Sequence, residues 1–222
     1  CRPRAVMLEN VRGLLDAVFD DYRKKLDKQL KKLGYRSEWR LLNASDFGVS
    51  QLRPRVVIVA IQETHAHAFE WPDSREAGPP PTVGDVLFPL MSSKKWKGAQ
   101  RWRERADAIA PTLVGGSKKH GGPDLGPTRA KQAWAALGVD GHGLANEPPA
   151  REFVGTPRLT VPMTALIQGF PPDWEFSGGK TAAYRQIGNA FPPPVAKAVS
   201  RRISHALRQR TKAVVRQITR NG

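Results

Sequence analysis

A chain of 222 residues with 40% hydrophobic content can bury one large core or two small ones, which excludes a disordered polymer. Its 36 Lys and Arg against 20 Asp and Glu give a formal charge of +16, pointing to a polyanion, nucleic acid foremost, with membranes as the other basic-protein partner. One cysteine excludes an intramolecular disulfide, and the longest apolar run, Val56 to Ile61, is far too short to span a bilayer.

In chain order, Ala5 to Leu8 reads as a buried strand that ends in Glu9-Asn10. After Gly13, apolar residues at Leu15, Val18, Tyr22, Leu26, Leu30 and Leu33 recur at helical spacing, with Gly34 as the stop. Trp39 to Leu42 is a second strand. A loop over 43–54 then leads into Arg55 to Ile61, whose β-branched run marks a central strand. This order of elements is that of a layered α/β domain. From Gln62 to about Gly155 the chain turns rich in Pro, Gly, Trp and cations, with little periodicity. Order returns with a helix over Met163 to Gly169. At the end, Val195, Val199, Ile203 and Leu207 form a stripe on a helix launched by prolines, and no acidic residue follows Lys197.

Four stretches carry chemistry-bearing residues. Glu9 sits at the carboxyl end of the first strand, where α/β sheets bind ligands, although a Glu there equally suits a helix cap. Gln51, Arg53 and Arg55 alternate on an extended segment and so share one face. They form either a set of forked donors for carbonyl or phosphate oxygens or a solvated edge. The run from Pro157 to Pro171 reads as an ordinary amphipathic helix ended by Gly169. Gly188-Asn189 before Pro192-Pro193 reads either as a tight turn or as an amide beside a helix N-terminus, suited to a polar ligand.

In that order the stretches resemble the DNA (cytosine-5) methyltransferases. The matches are Glu9-Asn10-Val11, then Gln51, Arg53 and Arg55, then Arg158-Leu159-Thr160 with Gln168 to Pro171, then Gln186 to Pro193, spanning about 125 residues in all. The resemblance implies an α/β fold, here a partial Rossmann-like methyltransferase domain with an irregular, mixed target-recognition domain inserted. Residues 1–62 and 156–222 would form the catalytic part and 63–155 the recognition region. It also implies methyl transfer from S-adenosylmethionine to C5 of a flipped cytosine in double-stranded DNA, as in restriction–modification systems. Glu9 would hold the base's N3, while Arg55, helped by Arg53, would hold its carbonyl oxygen and steady the catalytic loop. Gly188, Asn189 and Ala190 would line the methyl-donor pocket.

Two features depart from the family's pattern. Its donor-binding glycine block and Pro-Cys nucleophile segment lie upstream of Glu-Asn-Val, and the chain opens at Cys1-Arg-Pro without Met. Cys1 is too close to Glu9 to be that nucleophile. The expectation is therefore a C-terminal portion, inactive alone and dependent on an N-terminal part from the same gene or a separate subunit. The alternative is a catalytically dead DNA-binding module.

Within the recognition region, Lys94, Lys95, Lys97, Arg101, Arg103 and Arg105 cluster around Trp96 and Trp102. Gly115-Gly116-Ser117-Lys118-Lys119-His120 forms a second basic group, where glycines permit close backbone approach. Lys94, Lys95, Arg101, Arg103, Lys118, Lys119, His120 and Arg129, together with Gln51, are the expected DNA contacts. The first cluster reads alternatively as the solvated face of a helix. His120 and His142 lack partners at metal-ligand spacing, so no metal site is expected. No signal-peptide pattern opens the chain, and the expected location is the bacterial cytoplasm, on the nucleoid through DNA.

Overall fold

The computed structural model describes residues 1–73, 78–115 and 123–209. Three strands, β1 (Ala5–Val11), β2 (Tyr35–Asn43) and β3 (Pro54–Gln62), form one sheet in the order β1-β3-β2. The Val56 to Ile61 run is at most 3% exposed, as a strand covered on both faces requires. β1 runs antiparallel to β3, with Glu9 opposite Val57 and Val11 opposite Arg55.

The helix expected from Gly13 onward forms only in its second half. Two 3-10 turns, Arg12–Leu15 and Ala17–Phe19, precede α1 (Asp20–Lys32). Asp20 and Asp21 open α1 and Lys31 and Lys32 close it, which suits the helix dipole. Gly34, at φ +84°, ends it as expected. The apolar stripe of α1, however, is not a core face. Val18, Tyr22 and Leu33 are well exposed, and only Leu26 joins Leu14, Trp39, Val56 and Ile58. Asp27 anchors the helix to β2 by accepting from the Ser37 hydroxyl at 2.6 Å and the Trp39 indole at 2.8 Å.

The middle stretch is more regular than its composition predicts. It contains α2 (Glu63–Ala66), α3 (Val83–Met91), α4 (Ala99–Arg105) and α5 (Thr128–Ala136). Thr82 and Asp85 form a reciprocal capping box at the start of α3. α3, α4 and α5 are short; α3 carries an i, i+4, i+8 stripe of Val83, Leu87 and Met91, and the rest of this core is assembled across elements. Val83, Leu87 and Met91 pack with Trp96, Trp102 and Trp134, and also with Leu159, Met163, Ile167 and Tyr184. These last four lie on or beside α6 (Val161–Gln168) and α7 (Lys180–Asn189). α8 (Pro193–Arg208) follows, and its Val195 and Val199 are buried as the stripe predicts.

By contacts the chain divides into two compact units. One holds Cys1–Leu42, Pro54–Asp73 and the chain from Ala196, and the other holds Asn43–Arg53 and Ser74–Val195. The second unit takes in the loop after β2 and α6 and α7, beyond the expected boundaries of 63 and 155. The shared core accounts for α6 and α7, and hydrogen bonds between 50–53 and Ala110, Leu113, Ile167, Gln168 and Gly188 account for the loop. Among the described residues no helix is long and apolar enough to cross a membrane.

Candidate functional site

In the first unit, Glu9 and Arg55 meet. Because Glu9 stands opposite Val57, Arg55 is its diagonal neighbour on the same sheet face. Arg55 Nε reaches Glu9 Oε1 at 2.8 Å, with both side chains mostly covered. Arg55 Nη1 also donates to the Pro54 carbonyl at 2.9 Å. Burial pulls the Arg55 guanidinium below its usual value, and the Glu9 carboxylate partly offsets that pull. Asn10 takes no part in the pair, since its side chain accepts from the Val11 amide.

In the second unit, Gln51 and Arg53 are almost wholly buried, at 0% and 1% exposure. The solvated edge is thereby excluded for them, and so is direct contact of Gln51 with DNA in this conformation. Hydrogen bonds tie both into the protein, to backbone and to the side chain of Gln168. Gln51 Oε1 accepts from the Leu113 amide at 2.7 Å, and Gln51 Nε2 donates to Gln168 Oε1 at 2.7 Å. Arg53 donates from Nη1 to the Leu113 carbonyl at 2.7 Å and from Nη2 to the Gly188 carbonyl at 2.6 Å. Arg53 therefore holds main chain, and the expected contact with a cytosine carbonyl is not the use its fork is put to. The alternation of Gln51, Arg53 and Arg55 brings the first two together but leaves Arg55 paired with Glu9.

For Gly188 and Asn189 the sequence leaves open a tight turn or an amide beside a helix N-terminus, and the tight turn is not what forms. They are the last residues of α7, and Ala190 is its C-cap, so the amide lies at a helix C-terminus. Asn189 is exposed, while the carbonyls on either side of it are fixed. Gly188 accepts from Arg53, and Ala190 accepts from Gln168 Nε2 at 2.7 Å. Gly115 packs directly on this end. A Cβ at Gly115 would lie 2.3 Å from Asn189 Oδ1, and one at Gly188 would lie 2.5 Å from Gly115 Cα. The glycine doublet was visible in the sequence, but it reads there as a loop feature. That Gly115 must be small to clear Asn189 appears only in three dimensions.

Several expected DNA contacts have partners within the protein. Lys94 pairs with Glu147, Lys97 with Glu152 at 2.9 Å, and Arg103 with Asp85 at 2.9 Å, stacking also on Phe88. These pairs are exposed and weak, and a polyanion can compete for such cations. Lys95 is exposed in a left-handed conformation at φ 57°, and Arg129 is exposed on α5. Arg101 lines a cavity of about 390 Å³ with Trp96, Trp102, Arg105 and Phe153. Lys118, Lys119 and His120 lie outside the described residues. A residue not singled out from the sequence is Asp140, which accepts from Arg158 Nε at 2.7 Å and contacts the His142 ring at 2.8 Å.

Residues 1–205 match the model of a family described as C-5 cytosine-specific DNA methylase. The chain is 56% identical to the type II methyltransferase M.NaeI of Lentzea aerocolonigenes, covering 93% of this chain and 50% of that protein. It is 51% identical to M.NgoMIV of Neisseria gonorrhoeae, covering 93% and 66%. The chain thus spans about half to two thirds of the length of these relatives. Among solved structures, the fold resembles Entamoeba histolytica EhMeth, with TM-score 0.56, 12% identity and coverage of 93% and 64%. It also resembles Schizosaccharomyces pombe Dnmt2, with TM-score 0.51, 16% identity and coverage of 90% and 66%.

These matches correct the expectations built on the Pro-Cys segment. The resemblance is not confined to about 125 residues of a C-terminal portion, since it runs through 1–205 and includes the middle stretch. An α/β methyltransferase-like fold with an inserted subdomain agrees with that match, which runs through most of this chain rather than the partial stretch expected. The match over 93% of this chain replaces the expected dead DNA-binding module with membership of the methylase family, and neither inactivity alone nor a required N-terminal partner is carried forward.

Proposed function

Because the chain belongs to the C-5 cytosine-specific DNA methylase family, we propose that it serves methyl transfer from S-adenosylmethionine to C5 of a flipped cytosine in duplex DNA. The methylation arm of a restriction–modification system is the setting that fits, since the relatives named above are type II methyltransferases. The single observation that carries this reading is the Glu9–Arg55 pair, a carboxylate and a guanidinium held on one sheet face.

The chemistry explains why such a pair is useful. C5 of cytosine attacks an electrophile poorly until a nucleophile adds at C6; that addition pushes negative charge towards N3 and O2, and loss of the C5 proton with release of the nucleophile after methylation restores the ring. A carboxyl group at N3 takes up this charge by hydrogen bond or proton donation. A guanidinium at O2 stabilises it electrostatically without having to reorganise. Glu9 and Arg55 supply one group of each kind. Their ion pair keeps the two side chains oriented before the base arrives, and Nη2 of Arg55 takes no part in its bonds to Glu9 and Pro54.

S-adenosylmethionine supplies an electrophilic methyl group on a sulfonium. The residues present suit such a polar ligand at Asn189, whose exposed carboxamide sits on a base fixed by hydrogen bonds to both flanking carbonyls. In this reading residues 63–155 select the DNA target, with Lys95, Arg101 and Arg129 contributing phosphate or base-edge contacts.

Glu9→Ala tests the reading. In labelled-methyl transfer assays its kcat should fall by about 10²–10⁴-fold, the usual contribution of a positioned acid. DNA affinity in a filter-binding or gel-shift assay should stay within a few-fold of wild type. Undiminished turnover in this variant would remove Glu9 from the reaction.

A further inference from the structure

The residues around Leu113 are joined more closely than a recognition region needs to be to the end of α7. Backbone bonds first zip 50–52 onto Ala110, with the Ala110 amide donating to Ser50 and the Leu52 amide to Ala110, at 3.0 and 2.8 Å. The Leu113 peptide is then gripped on both sides, its N–H by Gln51 and its carbonyl by Arg53. The second branch of Arg53 and the side chain of Gln168 hold the carbonyls that bracket Asn189. Gln51 and Gln168 also bond to each other, so the network is continuous. All three side chains are at most 1% exposed. Buried polar groups joined in this way admit few alternative arrangements.

Gly115 closes the arrangement sterically. It is not among the glycines with positive φ, so alanine is conformationally acceptable there. Space is the only obstacle, and that space is occupied by the Asn189 carboxamide, with Oδ1 at 2.3 Å and Cγ at 2.7 Å from the Cβ position.

We propose that Gln51, Arg53 and Gln168 are positioning residues that aim the Asn189 carboxamide, and that the small residue at 115 lets it take that aim. The size of the residue at 115, within the recognition region, thereby controls affinity for the methyl donor. This rests on the reading of Asn189 as part of the donor pocket. All three positioning residues are buried away from solvent. Each acts through the backbone on either side of Asn189 or through the peptide at Leu113.

A double-mutant cycle on Gly115→Ala and Asn189→Ala in the intact protein tests the proposal, read out as KM for S-adenosylmethionine and kcat at saturation. Gly115→Ala alone should raise KM about tenfold with kcat little changed, the size of effect typical of coupled neighbours. Asn189→Ala should raise KM as well, and adding Gly115→Ala to it should change nothing further, because the obstructing carboxamide is gone. Arg53→Lys keeps the charge but loses one of the two carbonyl bonds, and should show the same rise in KM. Additive penalties in the cycle would show that residue 115 does not act through Asn189 and would overturn the proposal alone. An unchanged KM in Asn189→Ala would overturn the donor-pocket reading of that residue, and this proposal with it.

Discussion

Charged residues in this protein have distinct uses that their shared chemistry hides. Glu9 and Arg55 are aligned by strand register, whereas Arg53, two positions away, is consumed by two carbonyls. Arg158, quoted in the sequence only as part of a family block, donates to Asp140. Burial works against the charge on Asp140, but the amide of His142, the Arg158 guanidinium and the His142 ring outweigh it and hold the carboxyl at about 2 instead of 3.8. A depressed carboxyl stabilises the fold fully above its unfolded value, and that stabilisation is lost as pH falls through the folded one. Urea unfolding of wild type and Asp140→Asn should therefore differ most above pH 4 and converge as pH approaches 2. A gap that stays constant over that range would show that the Asp140 charge contributes nothing.

Elements were legible in the sequence to the extent that their signals were local. The β-branched run from Val56 to Ile61 gave a central strand, and Gly34 and Gly169 gave two helix ends, both at positive φ. Gly169 is the more constrained of these, because a Cβ there would also lie 2.9 Å from Pro194 Cδ and 3.3 Å from Val49 Cγ2. Gly169→Ala should cost about 1–3 kcal/mol in denaturant or thermal unfolding, the range for a non-glycine residue held in a left-handed conformation. An unchanged midpoint would mean that the α6 terminus relaxes freely. The sequence was misleading where a local pattern had no tertiary partner or a hidden one. The stripe from Leu15 to Leu33 has helical spacing, yet Val18, in the 3-10 turn before α1, and Leu33, the cap after it, are 81% and 72% exposed. Gly188-Asn189 has turn composition, yet continues α7 to its last residue. The stripe of Val83, Leu87 and Met91 on α3 has helical spacing but stands among Pro, Gly and cations, and the tryptophans of α4 and α5 pack between elements.

Over the whole molecule, the candidate site could be read from the sequence only through the order of its motifs. Composition predicts a polyanion partner, with +16 net charge, but it cannot distinguish a cation paired with Glu147 from one left exposed. The pairing of Glu9 with Arg55 follows from strand order, and no spacing along the chain encodes that. The bracket around Asn189 joins residues more than a hundred positions apart, as the bond from Arg53 to Gly188 illustrates. The most direct measurement is therefore on the product. The intact protein, incubated with duplex DNA and S-adenosylmethionine carrying a deuterated methyl group, would be assayed by mass spectrometry of the digested nucleosides. The account predicts the labelled methyl on C5 of deoxycytidine, greatly reduced in Glu9→Ala. A label on the exocyclic N4, or none on cytosine at all, would contradict it.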